Sequence, residues 1–217
     1  MSESRRRTNE SRRLWVQALA SGPLAGAAGW ASAQTDPVAG RDFRAVNPAQ
    51  PVEAGPGQIE VLEFFAYWCP HCHSLEPDLA AWRKRQPANV VFRREHVSFR
   101  ETRIQQMHYA LVALGKADEL AGRVFQAIHG ERARLDSPQK MAEVLGLDPK
   151  QFIEVYDSFA VRTRARRGTQ LSEASGIDGV PALVVNGKYL TAPSMAGSNG
   201  AALQVVDWLV ARERKAR

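Results

Sequence analysis

The pattern of apolar and polar residues begins with a β-α-β unit. The run "QIEVLEFFAYW", 58–68, is apolar apart from Gln58 and two glutamates and is rich in β-branched and aromatic residues, which is typical of a strand buried on both faces. Apolar residues then recur every three or four positions, which predicts a helix over 70–85. "NVVFRREHVSF", 89–99, is predicted to be the next strand. An edge strand is predicted within 41–47.

Residues 102–176 show helical spacing without a strand pattern, which predicts an all-helical block. Three glycines stand where helices are expected to end: Gly115, Gly130 and Gly146. Asp148-Pro149 is a typical helix start. We expect that helix to continue to about Arg166, with Gly168 separating it from a last helical piece.

Strands return after the helical block. "PALVVNGKYL", 181–190, is predicted to be a hairpin that turns at Asn186-Gly187, because this dipeptide favours the tight turn that two-residue hairpins need. A final helix is predicted over 200–213. The order β-α-β, helical block, β-β-α indicates an α/β fold, with parts at 34–101, 102–176 and 177–217.

The N-terminus has the features of an export signal. Five arginines precede "LWVQALASGPLAGAAGWASA", which is mildly apolar and ends in the small-residue site Ala31-Ser32-Ala33. We therefore expect residues 1–33 to be a signal peptide that is cleaved before Gln34. An uncleaved membrane anchor is the alternative, although its glycines and proline dilute the apolar run. "SRRLWV" is also similar to a twin-arginine signal, so that route and general secretion both stay open.

Composition and charge narrow the function classes. The chain has 217 residues, of which 44% are hydrophobic, so a packed core is expected. Residues 1–33 contain 5 of the 29 basic and 2 of the 23 acidic residues, so the remaining chain carries 24 basic and 21 acidic residues, a net +3. This charge is too small to indicate a nucleic-acid-binding protein. The arginines at 162, 164, 166 and 167 are interpreted as a solvated helix face, and a docking patch for an acidic partner is the alternative.

The two cysteines of the chain form the sequence Cys69-Pro70-His71-Cys72 between the first strand and its helix. A helix N-terminus favours an anion, His71 can add positive charge, and the thiol of Cys72 is one turn away. All three features predict a lowered pKa for Cys69. A stable thiolate makes the reduced form stable, so the disulfide is predicted to be an oxidant, with Cys69 as nucleophile and leaving group and Cys72 as resolving thiol.

Two other interpretations of the cysteine pair are less favoured. A zinc site would need two histidines from among His71, His73 and His96, but the chain lacks a second ligand pair of matched spacing, so we expect no metal. An inert structural disulfide would close a loop too short to stabilise the fold much.

Two further positions bear on the cysteines. Glu63 interrupts the apolar strand, and if it is buried it could exchange a proton with Cys72. A strand-end glutamate that reaches solvent is equally compatible with the pattern. Pro181 precedes a strand, and a cis peptide there would place a backbone edge for an extended substrate beside the thiols. The pattern alone does not establish the cis form.

"VLEFFAYWCPHCHSLE" and "GVPALVVNGKY" resemble the two signatures of the DsbA family of periplasmic thiol:disulfide oxidases. The resemblance covers the chain from about Arg41 to the last helix. It implies a thioredoxin fold, a mixed sheet flanked by helices, with an inserted all-helical domain. It also implies roles by position: Cys69 as nucleophile, Cys72 as resolving thiol, Pro70-His71 as the dipeptide that sets the potential, Glu63 as the buried acid, and Val180-Pro181 as the cis-proline loop beside the substrate groove.

The resemblance further implies a periplasmic enzyme with no cofactor other than the Cys69-Cys72 disulfide. Its implied partners are newly exported, unfolded proteins and a membrane quinone reductase of the DsbB type, and we expect a monomer. Trp68, His73 and Pro77 depart from the family pattern, since Trp68 and Pro77 are more typical of thioredoxins. A reductase or isomerase of the same fold, or a chaperone-like peptide-binding module, is the alternative function. Related isomerases usually carry threonine, not valine, before the cis-proline.

Overall fold

A five-stranded mixed sheet forms the centre of the computed structural model, which describes residues 36–99 and 101–216. The predicted signal peptide lies outside these residues. The strand order is β1-β5-β4-β2-β3, in which β2 and β3 are parallel and the other neighbours are antiparallel. The strands are β1 Arg44–Ala45, β2 Ile59–Phe65, β3 Val90–His96, β4 Ala182–Val185 and β5 Tyr189–Thr191.

Helices cover both faces of the sheet. In chain order they are α1 Pro70–Arg85, α2 Thr102–Ala113, α3 Ala117–Phe125, a π-helical turn Gln126–Gly130, α4 Pro138–Leu145, α5 Pro149–Tyr156, α6 Phe159–Ala174, α7 Pro193–Ala196 and α8 Asn199–Lys215. Helices α2 to α6 follow one another between β3 and β4. Within the described residues, every helix is too short or too polar to cross a bilayer.

Strand β2 is the buried centre that the apolar run predicts. All seven of its residues are buried, and its two faces belong to different clusters. Ile59 and Val61 pack in a cluster with α1 and α8, whereas Leu62 and Phe64 pack in a cluster with α2. Burial on both sides explains why β2 reads as a continuous apolar run rather than an alternating one.

Local signals set several of the predicted ends. Ser137 accepts a hydrogen bond from the backbone N–H of Lys140, and Asp148 accepts one from that of Gln151, so both helix starts are capped as expected. The hairpin turn has positive φ at Asn186 (52°) and Gly187 (67°), which is the conformation that this dipeptide favours.

The predicted ends of the last inserted helices are wrong. The helix that begins at Pro149 ends at Tyr156, and Ser158 then caps α6, which runs through Gly168 to Ala174. Gly168 is therefore not a helix end. A Cβ at this position would overlap the hydroxyl of Tyr109, so the glycine serves the close approach of α2 to α6.

Candidate active site

The two cysteines lie where β2 passes into α1. Cys69 is the N-cap residue of α1 and Pro70 takes the first helical position, where its missing N–H leaves no intrahelical bond unmade. Cys69 is 5% exposed and Cys72 is fully buried. The two sulfur atoms are unlinked, so this is the dithiol form. Of the two cysteines, only Cys69 is accessible to another protein.

The surroundings of Cys69 favour its thiolate. The S–H of Cys72 donates to the Cys69 sulfur, and this is the largest cause that lowers the pKa of Cys69 to about 6, against the opposing effect of burial. The backbone N–H groups of Cys72 and His71 add to the lowering, and the charge of His71 contributes least. The His71 side chain is exposed. The pKa of Cys69 is therefore lowered mostly by the Cys72 thiol and by backbone N–H groups at the helix start, and less by the His71 imidazole than the sequence predicted.

Cys72 has the opposite electrostatics. Burial is the main cause that raises the pKa of its thiol, followed by its hydrogen bond to Cys69 and by the negative charge of Glu63. The pair therefore holds one proton on Cys72 and a negative charge on Cys69 near neutral pH.

Val180 closes the site from the opposite side of the fold. The peptide bond Val180-Pro181 is cis, as the resemblance implies, and the Val180 carbonyl oxygen lies 3.3 Å from the Cys69 sulfur. That oxygen can accept a hydrogen bond only while Cys69 is protonated. Once Cys69 ionises, the oxygen faces an anion, which partly offsets the stabilisation from the helix start.

Glu63 is fully buried, which settles the two interpretations of its place in the strand. Its Oε2 accepts a 2.6 Å bond from Nε of Arg94, and Arg94 also pairs with Glu76, which is partly exposed. Oε1 of Glu63 has no hydrogen-bond partner. Burial raises the pKa of Glu63, while Arg94 opposes that rise. A buried carboxyl with a free oxygen near Cys72 is suited to proton exchange.

Two histidines hold the backbone just before Cys69. The N–H of Tyr67 donates to Nε2 of His96 at 3.0 Å, and therefore the His96 proton is on Nδ1, which donates to the carbonyl of Val97. Nε2 of His129 lies 2.8 Å from the Tyr67 carbonyl oxygen and must be the donor. His129 belongs to the π-helical turn, and its ring stacks on His73 of α1 with centroids 4.8 Å apart. Both backbone polar groups of Tyr67 are thus hydrogen-bonded to histidine side chains.

A cleft of about 610 Å³ opens beside Cys69 on the side of the cis-proline. His71, Val180 and Pro181 line it together with residues of α7, among them Met195. The structure therefore brings five of the seven predicted site residues, Cys69, Pro70, His71, Val180 and Pro181, to one surface, and Cys72 and Glu63 lie beneath it. Among the described residues, no group of three or more histidine, cysteine or acidic side chains is placed to hold a metal ion.

Comparison with known proteins agrees with this geometry. Residues 60–200 match a family model described as a DSBA-like thioredoxin domain. The chain is 46% identical over 176 residues to the thiol:disulfide interchange protein DsbA of Bordetella parapertussis, covering 78% of this chain and 83% of that one. The chain belongs to the DsbA family. It is therefore a thiol:disulfide oxidoreductase with a DsbA-like thioredoxin fold, as the two sequence signatures predicted.

Solved DsbA structures match the fold as well. The crystal structure of Pseudomonas aeruginosa DsbA superposes with a TM-score of 0.78 at 36% identity, covering 83% of this chain and 96% of that one. An oxidoreductase DsbA from Xylella fastidiosa gives the same TM-score at 28% identity, with 83% and 100% covered.

Sequence reasoning missed three residues of this DsbA-family site: Arg94, Glu76 and His129. Arg94 faces Glu63 across the β2–β3 register, and an arginine in the strand that follows β2 in the β-α-β unit was a signal that it could pair with an acid of β2. Glu76 looked like any polar position of α1. His129 gave no signal, because its contact with Tyr67 joins residues 62 positions apart.

Proposed function

We propose that this protein is an oxidant that gives its Cys69-Cys72 disulfide to substrate proteins. A substrate thiolate attacks the Cys69 sulfur, the Cys69–Cys72 bond breaks, and Cys72 leaves as a thiolate that takes up a proton. A second substrate thiolate then attacks the substrate sulfur of the mixed disulfide and releases the Cys69 thiolate. Two electrons pass to the cysteine pair and one disulfide forms in the substrate.

The observation that carries this proposal is the opposite shift of the two thiol pKa values. Cys69 is stabilised as an anion and keeps a small exposed area, whereas Cys72 has none, so Cys69 is both the more accessible sulfur and the better leaving group. Cys72 is buried and holds its proton, so it can act as the resolving thiol only after that proton is removed, which gives a second substrate thiolate time to attack the mixed disulfide.

The remaining site residues receive supporting roles. We propose that Glu63 gives or takes the Cys72 proton, since its Oε1 is unpaired and its charge already acts on that thiol. Pro70 sets the start of α1, and His71 presents one of the two backbone N–H groups that face Cys69, the other being that of Cys72. Val180 and Pro181 form the backbone edge along which an extended substrate chain is held beside Cys69.

Membership of the family supports a cellular setting. We propose a periplasmic enzyme with a signal peptide at 1–33, exported by either route, and a thioredoxin-fold part made of 34–101 and 177–217 with the helical insertion 102–176. Its substrates are newly exported proteins, a membrane quinone reductase of the DsbB type reoxidises it, and it acts as a monomer with no cofactor other than its own disulfide.

Oxidation of a reduced, unfolded protein with two cysteines tests this function. The oxidised enzyme is expected to form the substrate disulfide stoichiometrically, and a variant with Cys69→Ser and Cys72→Ser is expected to form none. A chaperone-like module would act equally well without its cysteines. A reductase would instead cleave the disulfide of the oxidised substrate when supplied in its dithiol form.

A further inference from the structure

A second cleft, of about 570 Å³, lies next to Cys69 on the side of the helical block. Its apolar lining consists of Trp68, Ile104, Ile128, Ala133 and Leu135. The second cleft is lined by Trp68, the residue directly before Cys69. The cleft beside the cis-proline is lined by His71, two residues after Cys69. A polypeptide whose cysteine reaches Cys69 therefore has a cleft available on each side.

The rim of this second cleft carries charges that are already paired. Glu101 pairs with Arg103 at 3.1 Å, and Asp136 pairs with Arg134 at 2.8 Å. Each acidic residue faces a basic one, so the rim has no net charge to attract a charged side chain. Because the rim charges are paired, the apolar residues of the cleft are the ones that can select a ligand.

The walls of the cleft are held in place without a ligand. Arg103 at the start of α2 donates to the carbonyl of Asp136, which joins the two walls at 3.0 Å. The N–H of Ala133 donates to the carbonyl of Ala127 at 2.7 Å, which ties the loop to the π-helical turn. His129 ties the same turn to Tyr67, one residue before Trp68. A preformed cleft costs a ligand little ordering entropy.

We propose that this cleft is a second substrate subsite that takes an uncharged, apolar side chain flanking the target cysteine of a polypeptide substrate. The inference rests on the proposed oxidase function and adds a preference to it. The cis-proline cleft would hold the chain on one side of the cysteine, and the Trp68 cleft would hold an apolar side chain on the other. Unfolded chains present such side chains, and folded ones bury them.

The test uses the oxidised protein and short dithiol peptides with leucine, serine or lysine two positions before or two positions after the reacting cysteine. Ala133→Trp fills the cleft, and Ala160→Trp, on the exposed start of α6, is the matched control. Reduced glutathione, which lacks flanking chain on the scale of the cleft, reports the thiol chemistry alone. Rates of disulfide transfer are measured for every pair.

The wild type and Ala160→Trp are expected to prefer leucine over serine by roughly tenfold on one side of the cysteine, as burial of about half a leucine side chain gives. Ala133→Trp is expected to lose that preference while reacting with glutathione at the wild-type rate. If Ala133→Trp fails to fold, Ile128→Glu replaces it and should convert the preference from leucine to lysine on the same side.

An unchanged leucine preference in a folded Ala133→Trp or Ile128→Glu protein would overturn the subsite. Equal wild-type rates for leucine and serine peptides would also overturn it, and would leave the oxidase function standing. A wild-type protein that oxidises neither the peptides nor glutathione would remove the proposed function itself, and the subsite with it.

Discussion

At Cys69, one S–H group and two backbone N–H groups face a single sulfur atom, while the buried Cys72 has one backbone hydrogen bond, from Ala66, and a nearby carboxylate. Of the three donors at Cys69, only the Cys72 thiol is a side-chain group. The helix start supplies the N–H groups, and the C-x-x-C spacing supplies the thiol. The two sulfurs therefore differ because of where they stand on α1.

The Cys69 thiolate should titrate with a midpoint near pH 6 in the reduced protein, as its lowered pKa gives. An unperturbed thiol in the unfolded chain titrates near pH 8.5. Since the folded pKa is depressed, the added stability of the reduced form is complete above about pH 8.5 and is lost as the pH falls through about 6. Thiolate absorbance and chemical denaturation measure the two quantities.

The oxidised protein is the internal control for that titration, because it has no free thiol. Its stability should lack this component of the pH dependence. A thiolate midpoint near pH 8.5 in the reduced protein would contradict the assignment.

Glu63→Gln should slow the step in which Cys72 changes its protonation and should change the pH profile of mixed-disulfide resolution. It should also remove one component of the pH dependence of stability. Because burial raises the pKa of Glu63, its ionised form opposes folding above about pH 4.3, and Glu63→Gln lacks that effect, while Arg94 loses its bond to Glu63 at every pH. The difference in the free energy of unfolding, variant minus wild type, should therefore rise as the pH rises above about 4.3.

Glu60→Gln is the matched control for Glu63→Gln. Glu60 is also buried in β2, but it pairs with Arg93 instead of Arg94. The pH profile of resolution should stay that of the wild type in Glu60→Gln. If both variants change it equally, the effect belongs to strand charge in general and Glu63 has no special role.

Among the elements, α1 was predicted from the sequence with both of its ends, and α5 and α6 were not. Pro70 and the apolar spacing are local signals, and α1 has the predicted bounds. The break at Asp157 and Ser158 has a polar cap but lies in a continuous helical pattern, and Gly168 resembled a stop signal. Position 168 is a glycine because the Tyr109 hydroxyl leaves no room for a Cβ there. Tyr109 lies 59 positions away in the chain, so local sequence patterns could not show this contact.

Gly168→Ala should destabilise the protein even though alanine favours helices more than glycine does. The added methyl group would overlap the hydroxyl of Tyr109, which donates a 2.5 Å hydrogen bond to Glu95. We expect a loss of about 1–3 kcal/mol in the free energy of unfolding, measured by chemical denaturation.

Gly122→Ala provides the opposite case. Gly122 lies in α3 with open space around its Cβ position, so alanine there should stabilise by about 0.5–1 kcal/mol. A stabilising Gly168→Ala would mean that α2 and α6 are not in the close contact described.

His129→Phe should keep the ring stack on His73 and lose the hydrogen bond to Tyr67. The Tyr67 carbonyl would then be left without this donor, which should cost about 1–3 kcal/mol of stability and speed hydrogen exchange at Tyr67 to Cys69. His129→Gln keeps a donor on a side chain of similar reach and should recover part of the loss. Equal stability in all three proteins would show that the π-helical turn does not hold this backbone.

At the scale of the whole molecule, the fold and the cysteine pair were predictable because each carries local signals. The buried strand, the hairpin dipeptide and the Cys-Pro-His-Cys sequence are all short. The cluster of Glu63, Arg94 and Glu76, the contacts of His96 and His129 with Tyr67, and both clefts depend on contacts between distant parts of the chain. Sequence reasoning named Glu63 but could not decide whether it was buried, because that depends on β3 and α1 together.

The central claim, that the Cys69-Cys72 disulfide is a strong oxidant, is tested most directly by equilibrating the protein without residues 1–33 in defined ratios of reduced to oxidised glutathione. The reduced fraction is read from the mass shift after alkylation of free thiols. The protein is expected to stay largely reduced until oxidised glutathione greatly dominates, because the Cys69 thiolate is stabilised. A protein that is already oxidised in a buffer dominated by reduced glutathione would contradict this account and would indicate a reductase.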